Sequence, residues 1–233
     1  VSAGTFRGYE LRTTDADGAH DFYGAVAGLG VSPAITVAAL PQAALARGAR
    51  PHWLGHLAVD DVDTITQSLL ALGAMPLGPA RHTDDGAALV TLRDPFGAML
   101  ALRSTTNAPR TEAVAWHQYN VLDDVRAWRI YAELFGWCDA GTVEHPGELS
   151  PVRTFAWEPG GPRAGGVASI ARAPHVHPQW LYFFRVADLD AALDAVRARG
   201  GLALAPVRLA SGDRVAVCDD PQGAAFGLMQ PSA

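Results

Sequence analysis

The sequence predicts an α+β chain of four βαβββ modules, and three observations predict it. Two Asp-Pro-x-Gly turns, at Asp94–Gly97 and Asp220–Gly223, each feed a short apolar run. In such a turn Pro presets φ and Gly supplies a left-handed residue, and the run behind has strand length. The surroundings repeat as well: Trp53–Asp63, WLGHLAVDDVD, returns 127 residues later as Trp180–Asp190, WLYFFRVADLD. The earlier segment repeats at an offset of 108, Thr14-Asp15 and Phe22-Tyr23 returning as Leu122-Asp123 and Ile130-Tyr131. Internal repetition sets the architecture before any single element does. The chain reads as a tandem duplication, with domains expected at 1–106 and 112–233 and a polar, Pro-containing linker at Thr105–Thr111.

In chain order, Tyr9–Thr13 alternates as a strand, with Tyr9, Leu11 and Thr13 on one face and Glu10 and Arg12 on the other. Asp15 is placed to cap a helix whose stripe is Ala19, Phe22, Tyr23 and Val26, stopped at Gly28–Gly30. Ile35–Leu40 reads as a strand and Gln42–Ala46 as a helical turn. His52–Val59 is a strand, and Asp60-Asp61 opens a helix with Val62, Ile65, Leu69 and Leu72 inward. Strands follow at Ala87–Arg93 and Ala98–Arg103. The second half predicts strands at Trp116–Val121, Val152–Glu158, Gly166–Ile170, Trp180–Val186, Val215–Cys218 and Ala225–Gln230. Its helices are Asp124–Phe135, with Trp128, Tyr131, Leu134 and Phe135 inward, and Asp188–Arg199, with Leu189, Ala192, Leu193 and Val196 inward. One asymmetry interrupts the repeat. Gly28 to His52 is 24 residues and Gly136 to Gln179 is 43, a deficit of 19, about one β-hairpin.

Composition bounds the function. Half the residues are hydrophobic, which argues against disorder, and no run reaches the length of a membrane span. A net charge of −6 argues against nucleic acid or an anionic membrane as partner. All 18 basic residues are Arg, which with the many Ala, Gly and Pro points to a GC-rich genome. Two cysteines, Cys138 and Cys218, offer neither metal spacing nor a disulfide framework, and a cytoplasmic protein is expected.

The pattern of strand, Asp and helix with Phe-Tyr or Ile-Tyr, then Trp-x₅-Val-x-Asp-x-Asp, then Asp-Pro-x-Gly-Ala resembles the vicinal oxygen chelate superfamily. That superfamily includes glyoxalase I, bleomycin-resistance proteins and extradiol dioxygenases, and the likeness is to its tandem two-domain, glyoxalase-like members. The resemblance covers nearly the whole chain and implies that the four modules pair into two half-open barrel domains, each around a concave pocket. It is specific for fold and poor for activity, since one scaffold hosts many chemistries. In metal-dependent members, His, Glu or Gln ligands come from the first and last strands of each module. Carried over, those positions are Gly8, Leu54 and Ala101, then Trp116, Leu181 and Gly227, and none ligates a metal through its side chain. The fourth positions, near Thr36–Ala38 and Val167–Ser169, offer no acid or imidazole. The expectation is therefore no cofactor, with a divalent metal as the alternative.

Strand parity supplies the candidate pocket residues. Glu10, Arg12, His56, Met99 and Arg103 share one face in the first half, and Gln118, Asn120, Phe183, Arg185 and Met229 in the second, joined by Trp116. Glu10 and His56 are the candidate catalytic pair: an acid–base couple, a displaced metal site, or a hydrogen-bonded polar pair lining a cleft. Arg185, Gln118 and Asn120 suit a ligand carboxylate or carbonyl, and Trp116 and Phe183 suit stacking. Arg185 paired with a neighbouring acid is the alternative. His52 and His56 lie about 13 Å apart on one strand, too far for one metal. His117 reads as a satisfied core histidine and Cys218 as a buried structural thiol. The expected function is a metal-independent protein that binds or transforms a small organic ligand, of lyase or isomerase type where it is an enzyme. The alternatives are a metal-dependent lyase, isomerase or dioxygenase, and a protein that sequesters a drug or metabolite. The expected partner is a small-molecule ligand, with no nucleic acid and no membrane, for a monomer or homodimer.

Overall fold

The computed structural model describes residues 4–30, 34–84, 86–104, 111–144 and 151–232; all of the expected linker but Thr111 lies outside them. Strand β1 (Thr5–Thr13) buries Tyr9, Leu11 and Thr13 and leaves Glu10 and Arg12 half-buried. Helix α1 (Ala16–Ala27) starts where the extended Asp15 accepts a hydrogen bond from the Gly18 amide, and it ends at Gly28, φ 61°. Strand β2 (Ile35–Ala39) and the single turn α2 (Gln42–Leu45) complete module one. Module two is β3 (His52–Val59), α3 (Val62–Ala71), β4 (Met75–Pro76), β5 (Arg81–His82), β6 (Ala88–Arg93) and β7 (Met99–Ser104). Module three is β8 (Val114–Asn120), α4 (Asp124–Phe135), β9 (Cys138–Val143), β10 (Val152–Ala156) and β11 (Arg163–Ala168). Module four is β12 (Gln179–Arg185), α5 (Leu189–Ala198), β13 (Leu202–Ala203), β14 (Val207–Arg208), β15 (Arg214–Asp219) and β16 (Ala225–Gln230). Asp61, Asp123 and Asp188 repeat the capping role of Asp15, each accepting from an amide in the first turn.

The 19-residue deficit has a structural identity. In module three, β9 and β10 form an antiparallel hairpin that leads into β11, which pairs in parallel with β8 at Gly165 and His117. In module one, β2 pairs in parallel with β1 at Tyr9 and Ile35, and among the described residues no hairpin precedes it. Tyr9 and His117 are one repeat offset apart, so β2 occupies the place of β11. The missing piece corresponds to Cys138–Ala156.

Packing divides the chain into two compact units. One compact unit comprises Val1–Arg7, Gly55–Arg110 and His117–Trp180; the other comprises Gly8–Leu54, Thr111–Trp116 and Leu181–Ala233. In unit 1, β3 pairs in parallel with β7, β7 is antiparallel to β6, and β4 and β5 lie on β6. Its second arc runs β8, β11, β10, β9. The core stacks Trp137 on Phe155 at 4.3 Å and Trp180 on Tyr119 at 4.2 Å. In unit 2, β12 pairs in parallel with β16, β16 is antiparallel to β15, and β13 and β14 lie on β15. Helix α1 packs on α5 there, over Tyr23, Trp53, Phe184 and Phe226. Burying each of these rings contributes about 1.5–3 kcal/mol.

Some expectations need correction. The inward stripe of α4 is Ala127, Ile130, Tyr131 and Phe135; Trp128 and Leu134 are only half-buried, and the Arg153 guanidinium lies 5.8 Å from the centre of the Trp128 ring. Leu72 is 37% exposed because it falls past the last residue of α3. Strand β1 begins four residues before Tyr9, and β11 begins at Arg163. The two-residue strands have no period to read, and β9, CDAGTV, lacks apolar alternation.

Candidate functional site

The residues that make the repeat visible meet in two buried hydrogen-bond clusters, one per unit. In unit 1 the Asp94 carboxylate accepts at Oδ1 from the amides of Phe96 and Ala98, both 2.9 Å, which ties the Asp-Pro-Phe-Gly turn. Its Oδ2 accepts from the hydroxyls of Tyr119 and Tyr131, the latter at 2.7 Å. In unit 2 Asp220 accepts from the amides of Gln222 and Ala224 and, at 3.1 Å, from the Tyr23 hydroxyl. That hydroxyl accepts from Trp53 Nε1 at 2.9 Å. Burial raises the pKa of both carboxyls, opposed by these hydrogen bonds, and burial beside a carboxylate raises the three phenols well above their ordinary value. Each turn thus finds its tyrosine in the other half of the sequence. These clusters are ties, closed to a ligand.

The candidate residues divide between the units. Unit 1 holds His56, Arg103, Gln118 and Asn120. His56 pairs with Ala101 and Ala58 with Arg103 across β3 and β7, so parity puts His56 and Arg103 on one face of neighbouring strands. Gln118 and Asn120 lie opposite Gly166 and Ala168 of β11, two small residues. His56, Gln118 and Asn120 are buried, and Arg103 is half-buried. Unit 2 holds Glu10, Arg12, Trp116, Phe183, Arg185 and Met229, so the two members of the Glu10–His56 pair belong to different units. Arg12 Nε donates to Glu10 Oε1 at 2.5 Å. Phe183 lies opposite Gly227 and Arg185 opposite Met229 on β12 and β16. Arg185 is exposed, its Nε 3.4 Å from the Glu112 carbonyl, and it lines an open groove of about 340 Å³ with the last turn of α1 and the start of α5. Trp116 is half-buried at the end of its segment.

One residue of interest escaped the sequence reading. His52, weighed there only as half of a metal pair, feels the charges of Arg12 and Glu10. The signal available was parity, since its spacing from His56 puts both on the same strand face. His117 is the core histidine expected: buried, stacked on Phe6 at 5.0 Å, with Nδ1 2.7 Å from the Ala164 carbonyl and its pKa lowered by burial to about 4. Cys218 is buried and its thiol is pushed up to about 12 by burial, in keeping with a structural role.

No protein-family model matches the chain. Two relatives, from Mycobacterium bovis and Mycobacterium tuberculosis, both carry the name "Putative glyoxylase CFP32". Each is 26% identical over 255 residues, spanning 98% of this chain and 95% of its own. Among solved structures, the Mn(II)-bound glyoxalase from Novosphingobium aromaticivorans matches with a TM-score of 0.64 at 14% identity, over 99% of this chain and 83% of that one. The 2,3-dioxygenase LapB from Pseudomonas sp. KL28 matches at 0.65 with 13% identity, over 100% of this chain and 94% of that one.

The expectation of no cofactor is corrected by a neighbour: a glyoxalase of the same fold is bound to Mn(II). The described side chains do not fit such a metal. Among the described residues no group of three or more His, Cys, Asp or Glu is placed to hold a metal. At the positions the resemblance marks for ligands, Leu54, Ala101 and Leu181 are buried and apolar. At Gly227 the Phe183 ring fills the space, 2.2 Å from where a Cβ would stand. No helix among the described residues is long and apolar enough to cross a membrane. The repeat, the α+β modules and the full-length matches converge: this chain carries the tandem vicinal oxygen chelate fold, shared with glyoxalase and extradiol dioxygenases.

Proposed function

We propose that this chain is a glyoxalase-like protein that binds a small organic ligand on the polar strand face of unit 1. The observation that carries the reading is Asn120, 4% exposed, whose Oδ1 has no hydrogen-bond partner among the described residues. A buried carbonyl oxygen left without a donor costs about 1–3 kcal/mol, and native proteins keep few of them. A ligand N–H or O–H supplies the donor. Gln118 sits two residues away on the same face, and Gly166 and Ala168 keep the neighbouring strand low. Arg103, with His56 on the same face of β3 and β7, gives the unit a cation suited to a ligand carboxylate or carbonyl. The test is a thermal-shift screen of small organic acids and amides on the wild type and on Asn120→Leu. Ligands that raise the wild-type melting temperature and leave the variant unmoved support the reading; equal shifts in both, or none in either, overturn it.

A second reading, a divalent-metal lyase, isomerase or dioxygenase, is favoured by the Mn(II)-bound glyoxalase neighbour and by the names of the relatives. Metal content after incubation with Mn²⁺, Fe²⁺, Zn²⁺ and Ni²⁺ decides it: about one tightly held ion per chain supports it, and none counts against it. Where turnover of a screened ligand is found, His56→Ala and Glu10→Gln variants that keep affinity but lose turnover mark an enzyme. Variants that lose only affinity mark a sequestering protein.

A further inference from the structure

We infer that unit 2 holds a separate binding site for a small hydroxy acid, formed by Arg12, Glu10 and His52. Alternation along β1 turns Glu10 and Arg12 to one face while Tyr9, Leu11 and Thr13 are buried on the other. In the sheet β1 lies between β2 and β3, and His52, the first residue of β3, belongs to unit 2 with Glu10 and Arg12. All three side chains are half-buried: those of Arg12 and Glu10 are 20% and 13% exposed. The Glu10 carboxylate takes the Nε of Arg12, which fixes the guanidinium plane. The two terminal nitrogens of Arg12 have no acceptor among the described residues, so they present a fork that suits a carboxylate.

His52 complements that fork. Its Nδ1 lies 2.7 Å from the Arg50 carbonyl, and since a carbonyl only accepts, Nδ1 carries the proton and Nε2 carries the lone pair. Burial lowers the His52 pKa, with the Arg12 charge adding to the effect and the Arg50 carbonyl and Glu10 opposing it. The ring is neutral at pH 7 and accepts at Nε2. A cationic fork beside a neutral acceptor selects a ligand with a carboxylate and a hydroxyl. A plain carboxylate leaves Nε2 unused, and an amide loses the charge.

The probe is glycolate, with methoxyacetate and glycolamide as controls, titrated into the full chain. Histidine-ring signals are followed by NMR and assigned with His52→Gln. Glycolate is expected to shift the His52 signal saturably. Arg12→Gln is expected to weaken binding about tenfold or more, with Arg12→Lys intermediate because it keeps the charge and loses the fork. Methoxyacetate is expected to bind more weakly than glycolate to the wild type and equally to His52→Phe. An unmoved His52 signal, glycolamide binding as tightly as glycolate, or Arg12→Lys binding like wild type overturns the inference. Asn120→Leu tests the unit 1 proposal separately, so either can fail alone.

Discussion

The two buried aspartates occupy equivalent places and are held differently. Asp94 in unit 1 receives two phenols and two amides; Asp220 in unit 2 receives one phenol and two amides, with Trp53 supporting that phenol from behind. The difference traces to one position. Tyr119 stands one repeat offset from Leu11, so unit 2 has a buried leucine where unit 1 has its second donor. Unit 1 also stacks Trp180 flat on Tyr119, whereas Trp53 meets Tyr23 edge-on. A repeat can thus preserve a tie while trading a hydrogen bond for apolar packing.

The sharpest way to break the comparison is to remove the carboxylates. Asp94→Ala strands two buried phenols and two amides, and urea unfolding should show a loss of about 3–5 kcal/mol. Asp94→Asn keeps an acceptor and should cost less. Asp220→Ala, with one fewer donor abandoned, should cost about 2–3 kcal/mol. Tyr119→Phe makes unit 1 resemble unit 2 and should cost about 1–2 kcal/mol in the same measurement. The pH dependence runs opposite to that of a salt-bridged carboxylate. Both folded pKa values are raised above 3.8 by burial, so between 3.8 and the raised values the folded chain holds more protons than the unfolded one. The contribution of these groups is full below the unfolded value and is lost as pH rises through the folded one. Urea midpoints of wild type minus those of Asp94→Asn/Asp220→Asn, taken from about pH 3.5 to 7, should therefore decline with pH. The smallest signal comes from the thiols. Half-buried Cys138 in unit 1 should alkylate at pH 8 in the native protein, while Cys218 in unit 2 should not, until Asp220→Ala loosens its surroundings. Labelling read by mass spectrometry checks both.

Much of the fold was legible because the same residues do local and tertiary work. Asp15, Asp61, Asp123 and Asp188 cap helices by local rules, and β3 matches its expected bounds because His52–Val59 has both strand length and alternation. The missing hairpin was legible as a length difference. The exchange of partners between halves was not, since nothing local tells Asp94 that its tyrosines lie ahead of it rather than behind. The candidate site was less legible for a similar reason. Parity assigns a face to Glu10, Arg12, Gln118 and Asn120, but it does not say which strands of which module a packing unit gathers. His52 shows the limit: its spacing to His56 rules out a shared metal, and its nearby charges come from a strand some forty residues earlier.

The crossed ties also impose an order of assembly on a chain that leaves the ribosome from one end. Asp94 and Tyr131 are 37 residues apart, so unit 1 can close once residue 180 has emerged. Tyr23 and Asp220 are 197 apart, so the segment Gly8–Leu54 is completed only once Asp220 has been made. Until β12 and β16 are made, Phe22 and Tyr23 of α1 lack their ring partners Phe184 and Phe226, and closing so long a loop is slow. That wait leaves the apolar side of α1 open to aggregation in the nascent chain. Halves expressed separately should each emerge unable to finish either unit.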